Sequence, residues 1–285
     1  MKKVAVVCAQ GIGDSLIMHI AAHNFTKSGY EVTTFSNHLG SFRSWLPSYQ
    51  FALQPSVEEI ETLFSSFDLI ILQHDNSPKA KKIKTLPNCF TFYGSHSPEK
   101  HGSLSSYDYV CNPNHSMVDN LVSALTQWFG FTSKENGLTP PPGLIHRKYP
   151  KRIAIHPDGS SLEKKWTLSK FQKLSTLLTK QGYEPIFLTL NEKPLCSTLE
   201  ALASFLYESG SFIGNDSGPG HLASYLQIPS LIIGQNPKHF RLWRPGWLPA
   251  IIATPSPWVS YFKFTRKRWK SFLSVNKTYL LLIKK

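Results

Sequence analysis

Acidic residues are scarce in this chain. There are 18, against 31 lysines and arginines in 285 residues, so the formal net charge is +13. Such an excess excludes an acidic, self-solvating chain and draws polyanions: nucleic acid, an anionic membrane surface or a phosphorylated substrate. Cysteine is scarce too. Cys8, Cys89, Cys111 and Cys196 are far apart and form no CxxC pair. That spacing argues against a disulfide framework or a thiolate zinc site and suits a reducing compartment. No apolar run reaches the roughly 20 residues that a spanning helix needs. The opening MKKVAVVCAQGIGDS carries an apolar run too short for a signal-peptide core, and it reads as a buried first strand. No internal repeat of fixed period is present. There is also no zinc finger, RRM-type aromatic motif or helix-turn-helix, so charge alone is left to support nucleic acid, and none is expected as a partner.

What is present is apolar enough to fold. Hydrophobic residues make up 41% and charged residues 17%, at a length comfortable for two domains. Buried-strand patterns alternate with helix-period patterns. Residues 4–9, 31–36, 68–73 and 90–94 read as strands, and 14–28, 57–66 and 117–129 as helices. The run TPPPG at 139–143 stiffens the chain and interrupts the series. The alternation then restarts, with strands at 152–156, 185–190, 211–214 and 230–234 and helices at 168–180, 195–206 and 218–226. The expected fold is α/β, with two doubly wound parallel sheets. The expected divisions are 1–145, 146–258 and a basic helical tail at 259–285.

Basic residues gather in three knots. They are Lys79, Lys81, Lys82 and Lys84; Arg147, Lys148, Lys151 and Arg152; and Lys263, Arg266, Lys267, Arg268 and Lys270. The first two read as solvated faces. The third is interleaved with Phe262, Phe264 and Trp269, a mixture that suits an anionic membrane surface.

Three stretches follow predicted strands, where parallel sheets bind ligands. In Gln10-Gly11-Ile12-Gly13-Asp14-Ser15, Gly11 and Gly13 permit a tight turn ahead of a helix. Asp14 is either a plain helix cap or a carboxylate able to take a proton. Leu16 stands where a dinucleotide fingerprint needs its third glycine, which weakens an NAD-dependent dehydrogenase reading. In His156-Pro157-Asp158-Gly159-Ser160-Ser161, with Lys164-Lys165-Trp166 behind it, hydroxyls, amides and an ammonium suit a diphosphate. In Gly214-Asn215-Asp216-Ser217-Gly218-Pro219-Gly220-His221, glycines, an acid and a histidine converge on a helix start that favours an anion.

The run FIGNDSGPGHLASYLQIPSLIIG at 212–234 resembles the signature of the heptosyltransferases, glycosyltransferase family nine. The early Gly-Ile-Gly-Asp, the Lys-x-Trp at 164–166 and Trp243-Arg244-Pro245 resemble further elements of that family in the same order. The resemblance implies a GT-B arrangement of two Rossmann-like domains facing across a cleft, with acceptor on the first and nucleotide-sugar on the second. It implies Asp14 as general base, and Ser160, Ser161 and Lys164 as donor-phosphate contacts. Asp216, Ser217, Gly218 and His221 would form the donor-binding turn, with Glu192 on the donor ribose. Transfer would be inverting, without metal or other cofactor, from ADP-heptose to an anionic glycolipid of the lipopolysaccharide inner core. The place would be the cytoplasm, with peripheral contact at the inner membrane. The stretch 190–211 is short for the family. That leaves open another nucleotide-sugar donor, or a protein that binds the donor without catalysis.

Overall fold

The computed structural model describes every residue except Ser160, Leu162, Asn191, Glu192, Lys284 and Lys285. The chain divides into two compact units, Met1–Pro141 and Pro142–Lys285. The division falls within the proline run.

The first unit is built on six parallel strands: β1 (Lys3–Val7), β2 (Glu31–Phe35), β3 (Gln50–Ala52), β4 (Leu69–His74), β5 (Cys89–Tyr93) and β6 (Asp108–Val110). Their spatial order is β3-β2-β1-β4-β5-β6. This is the doubly wound Rossmann order, which reverses between β1 and β4. Its helices are α1 (Ile12–Lys27), α2 (Ile60–Phe64), α3 (Pro78–Lys84), α4 (Pro98–His101) and α5 (Met117–Phe129). The central strands are continuous apolar runs because helices cover both faces: Val4 to Val7 and Ile70 to Leu72 are all buried. α1 is buried on every side from Ser15 to Ala22, so it has no polar face. α5 is amphipathic, capped by Ser116 Oγ, which accepts from the Asp119 amide at 3.1 Å, and closed by Gly130 at φ 76°. Between α1 and α5, Phe25 meets Tyr30, Phe129 and Phe131 edge to face at 4.9–5.2 Å.

The second unit holds five parallel strands, β7 (Tyr149–His156), β8 (Glu184–Phe187), β11 (Ser209–Asn215), β12 (Ser230–Ile233) and β13 (Ile251–Ala253). A two-stranded antiparallel ribbon, β9 (Thr189–Leu190) and β10 (Lys193–Pro194), follows β8. The order β13-β12-β11-β7-β8 reverses between β7 and β11. Its helices are α6 (Leu168–Lys180), α7 (Leu199–Tyr207), α8 (Gly218–Tyr225), α9 (His239–Trp243), α10 (Lys263–Lys267), α11 (Trp269–Phe272) and α12 (Val275–Ile283). The final segment, expected as a separate tail, folds into this unit. Val259, Trp269 and Leu273 join Trp166, Phe171 and Ile155 in one core. Burying a side chain of Trp or Leu size stabilises by about 2 kcal/mol or more. Lys170 Nζ donates to the carbonyl of Leu273 at 2.8 Å and to that of Lys270, which satisfies the end of α11.

The strands β3, β6 and β13 were not expected from the pattern. Each has three residues at or near a sheet edge, too few for an alternation to register. The helix expected at 195–206 begins later, at Leu199, because Thr198 caps it by accepting from the Ala201 amide at 3.1 Å.

Candidate active site

In open α/β sheets, ligands bind beyond the carboxyl ends of the strands where the strand order reverses. Both units place their distinctive polar residues there.

In the first unit, β1 leads through the Gly11 turn into α1, and β4 ends at Gln73 and His74. Gln73 Oε1 accepts from the Ala9 amide at 3.3 Å, which fixes the side-chain amide so that Nε2 donates to Asp14 Oδ1 at 2.6 Å. Asp14 lies in the first turn of α1 and is not its cap; Gly11 holds that position. The carboxylate folds back over Gly11, whose backbone also hydrogen-bonds it. A Cβ added to Gly11 would stand 2.5 Å from Asp14 Oδ2. Glycine is thus required by the carboxylate's position. Ser15 Oγ donates to the Gly11 carbonyl at 3.0 Å and accepts from Ser36 Oγ at 2.8 Å, which buttresses the turn from β2. Gly13 lies in the same first helical turn.

Burial pushes the Asp14 pKa above the ordinary carboxylate range; Gln73 and Gly11 oppose the shift, and nearby Asp75 adds to it. Cys8 beside it is buried and its thiol is also pushed up, so it is not an activated nucleophile. A small crevice, with about 10 Å³ of cavity volume, is lined by Cys8, Gln54, Gln73, Asp75, Ser77 and Lys79. Next to it, the rings of Tyr93 and His101 each lie within 4.8–5.5 Å of those of His74 and His96, and 5.2 Å from each other. Burial holds His74 down to about 4, so it is neutral at pH 7. Of the first basic knot, Lys84 is engaged with the His101 carbonyl at 3.1 Å and Lys82 with Glu61 at 3.2 Å.

In the second unit, the site gathers at the ends of β7 and β11. Asn215 is fully buried and organises it. Its Nδ2 donates to the Pro157 carbonyl at 2.5 Å, and its Oδ1 accepts from the Trp166 amide at 2.9 Å. This pins both ends of the loop that carries Ser160, Ser161, Lys164 and Lys165. Ser217 is the N-cap of α8, yet its hydroxyl bonds His156 Nδ1 at 3.2 Å and the Asn215 carbonyl at 3.1 Å, not its own helix. Pro219 has no N–H and the Gly220 amide donates to the Ser217 carbonyl at 3.0 Å, so at the start of α8 the Gly218 amide is the donor kept for something else. Gly218 and Pro219 open the helix, and Gly220 lets it lie close to β12, where a Cβ would meet Ile232 at 2.7 Å. His221 is buried with Nδ1 unpartnered, and burial lowers its pKa. Asp216 Oδ2 pairs with His239 Nε2 at 3.0 Å, and the His239 ring lies parallel to Trp243 at 6.2 Å.

The loop lysines differ. Lys165 Nζ reaches Asp158 Oδ1 at 2.9 Å. Burial raises the Asp158 pKa, but the Lys165 ammonium, joined by His156 and a hydrogen bond from Thr189, outweighs it, and the carboxyl lies below its usual range. Lys164 is exposed; its amide donates to the Ser161 carbonyl at 3.1 Å, and Ser161 is exposed as well. Ser160 and Glu192 lie outside the described residues. Sequence reasoning gave no role to four residues: Gln73, Asn215, His156 and His239. His156 and Asn215 stood inside the stretches it singled out, and Gln73 left a trace as a polar residue closing a buried strand. Among the described residues, no group of three or more His, Cys, Asp or Glu is placed to hold a metal ion, and no helix is long and apolar enough to cross a membrane.

Two doubly wound Rossmann-like sheets, each with its polar cluster at the order reversal, are the building plan of GT-B glycosyltransferases. Comparison with solved structures makes this specific. E. coli heptosyltransferase WaaC, solved with ADP, is similar at TM-score 0.67 and 13% identity, over 99% of each chain. E. coli ADP-heptose LPS heptosyltransferase II is similar at 0.69 and 14%, over 100% of this chain and 98% of that one. A glycosyltransferase family 9 protein from Veillonella parvula is similar at 0.65 and 15%, over 100% and 98%. The chain has the heptosyltransferase fold along its whole length. No family model matches the sequence, and no curated protein matches it.

Proposed function

We propose that this protein is an inverting glycosyltransferase that moves heptose from ADP-heptose onto an anionic lipopolysaccharide inner-core acceptor. The observation that carries this reading is Asp14. It is a desolvated carboxylate, raised in pKa and fixed by Gln73 and Gly11 at the order reversal of the first sheet. No ammonium or guanidinium is among the groups that set its pKa, so it is poised to take a proton. In the reaction, Asp14 accepts the proton of the acceptor hydroxyl as its oxygen bonds the anomeric carbon. The bond from that carbon to the diphosphate breaks on the opposite face, and ADP leaves with the electron pair. The N-terminus of α8, with Asp216, Ser217, Gly218 and His221, would hold the departing diphosphate, helped by Lys164 and the loop hydroxyls of Ser160 and Ser161. Glu192 is assigned to the ribose. The positive charge of the chain suits a phosphorylated glycolipid. No metal or other cofactor takes part, so chelation with EDTA leaves turnover unchanged. The enzyme works in the cytoplasm.

Calorimetric titration with ADP-heptose, ADP, UDP-glucose and NAD tests the donor, with Lys164→Ala alongside. Binding of ADP and ADP-heptose alone is expected. Preference for UDP-glucose would keep the fold and discard heptose, and no binding at all would leave an inactive scaffold. With a lipid A acceptor bearing Kdo, Asp14→Asn is expected to lower turnover about 10²- to 10⁴-fold with donor affinity unchanged. The wild-type rate should fall as pH drops through a value above the ordinary carboxylate range, because only the ionised form accepts a proton.

A further inference from the structure

The segment 257–273 sorts its apolar residues into two sets. Val259, Trp269 and Leu273 are buried in the core of the second unit. Three polar contacts tie the segment down as well: Trp269 Nε1 donates to the Glu163 carbonyl at 2.8 Å, Trp166 Nε1 to the Leu273 carbonyl at 3.2 Å, and Gln235 Nε2 to the Arg266 carbonyl at 2.5 Å. Between these anchors the chain turns three aromatics outward. Tyr261 is 68% exposed, Phe262 64% and Phe264 65%. Trp258 and Phe272 flank them, half exposed and edge to face at 5.2 Å. A soluble surface gains nothing from adjacent exposed aromatics, and such patches mark contact sites.

The cations of the same segment are exposed around them. Lys263, Arg266, Lys267 and Arg268 all face solvent, and no acidic residue lies between Pro257 and Leu273. Lys238 lies over the Tyr261 ring at 5.0 Å and Arg268 over Phe264 at 4.3 Å, so cations sit at ring level. Aromatics that insert to the headgroup boundary, ringed by lysine and arginine with no carboxylate to repel lipid phosphate, match an anionic bilayer surface.

We propose that this segment docks the protein on an anionic lipid bilayer, with Tyr261, Phe262 and Phe264 entering the interface and Lys263, Arg266, Lys267 and Arg268 on lipid phosphates. The docking is independent of the transfer reaction. The test is co-sedimentation with vesicles of phosphatidylglycerol and phosphatidylcholine, against vesicles of phosphatidylcholine alone. Binding to the anionic vesicles only, weakening as salt rises, is expected. The triple variant Lys263→Gln, Arg266→Gln, Lys267→Gln should bind about 100-fold more weakly, at roughly fivefold per charge. Phe262→Ser with Phe264→Ser should lose about tenfold or more. These side chains pack on no core, so both variants should melt as the wild type does, and a melting check separates lost binding from lost folding. The proposal is overturned if the wild type ignores anionic vesicles at low salt, or if both variants bind them as the wild type does. Tighter binding to single-stranded RNA, lost in the same variants, would overturn it too by assigning the surface to nucleic acid.

Discussion

The two order reversals occupy the same topological place and carry opposite electrostatics. In the first unit, Asp14 has an amide for its partner and Asp75 for a neighbour, so burial leaves the carboxylate with a raised pKa. In the second unit, two acids at the site have a cationic or ionisable partner: Lys165 for Asp158 and His239 for Asp216. What the second unit leaves unspent is a donor, the Gly218 amide at the start of α8. A doubly wound sheet thus supplies position alone. The residues closing its central strands decide whether that position takes up a proton or steadies negative charge.

The sharpest way to break this comparison is Gly11→Ala. The new Cβ would lie 2.5 Å from Asp14 Oδ2 and must move the carboxylate off Gln73. A misplacement near 1 Å costs about 100-fold in turnover. Calorimetry should show ADP binding unchanged, because the second unit is untouched. A parallel loss of ADP affinity would mean that the two clusters are not separable in function.

Much of this was legible in the sequence. Residues 4–9 and 68–73 declare central strands because they are apolar on both faces, and the glycine-rich runs mark where those strands give way to helices. Short edge strands such as Asp108–Val110 left no pattern, since half of a three-residue strand faces solvent. Gln73 and Asn215 were hidden for another reason: each acts through partners distant in sequence, Asp14 and Ala9 for one, Pro157 and Trp166 for the other. Spacing also could not tell Lys164 from Lys165, adjacent residues that the loop turns to different surroundings.

That pair supplies the next prediction. Lys165→Ala removes the partner of Asp158 and leaves its carboxylate facing an incoming diphosphate. A charge-assisted contact of this kind is worth about 1.5–3 kcal/mol, so ADP affinity should fall roughly 10- to 100-fold. Lys164→Ala removes an exposed cation and should cost less. Equal losses in calorimetry would show that Lys165 contributes no more than the exposed lysine, and a larger loss for Lys164 would make that lysine the main phosphate contact.

The smallest effect concerns stability, and it separates the proton-accepting site from the unit that houses it. His19, one turn along α1 from Asp14, is fully buried with neither ring nitrogen partnered, packed edge to face on Tyr49 at 4.4 Å. Burial holds its pKa down to about 3, against 6.5 for an ordinary histidine. The unfolded chain therefore takes up this proton below pH 6.5 while the native chain does not. Stability is complete above that value and is lost as pH falls toward 3, by at most about 1.4 kcal/mol per pH unit. His19→Leu removes both the titration and the unpartnered polar ring. At pH 7 it should stabilise the protein by about 1 kcal/mol, a rise of a few degrees in Tm. At pH 5 the gain should be larger, measured as the difference between two melting curves. An equal gain at both values would mean that His19 gains no proton on unfolding, and a loss at pH 7 would mean that its imidazole finds a partner inside the unit.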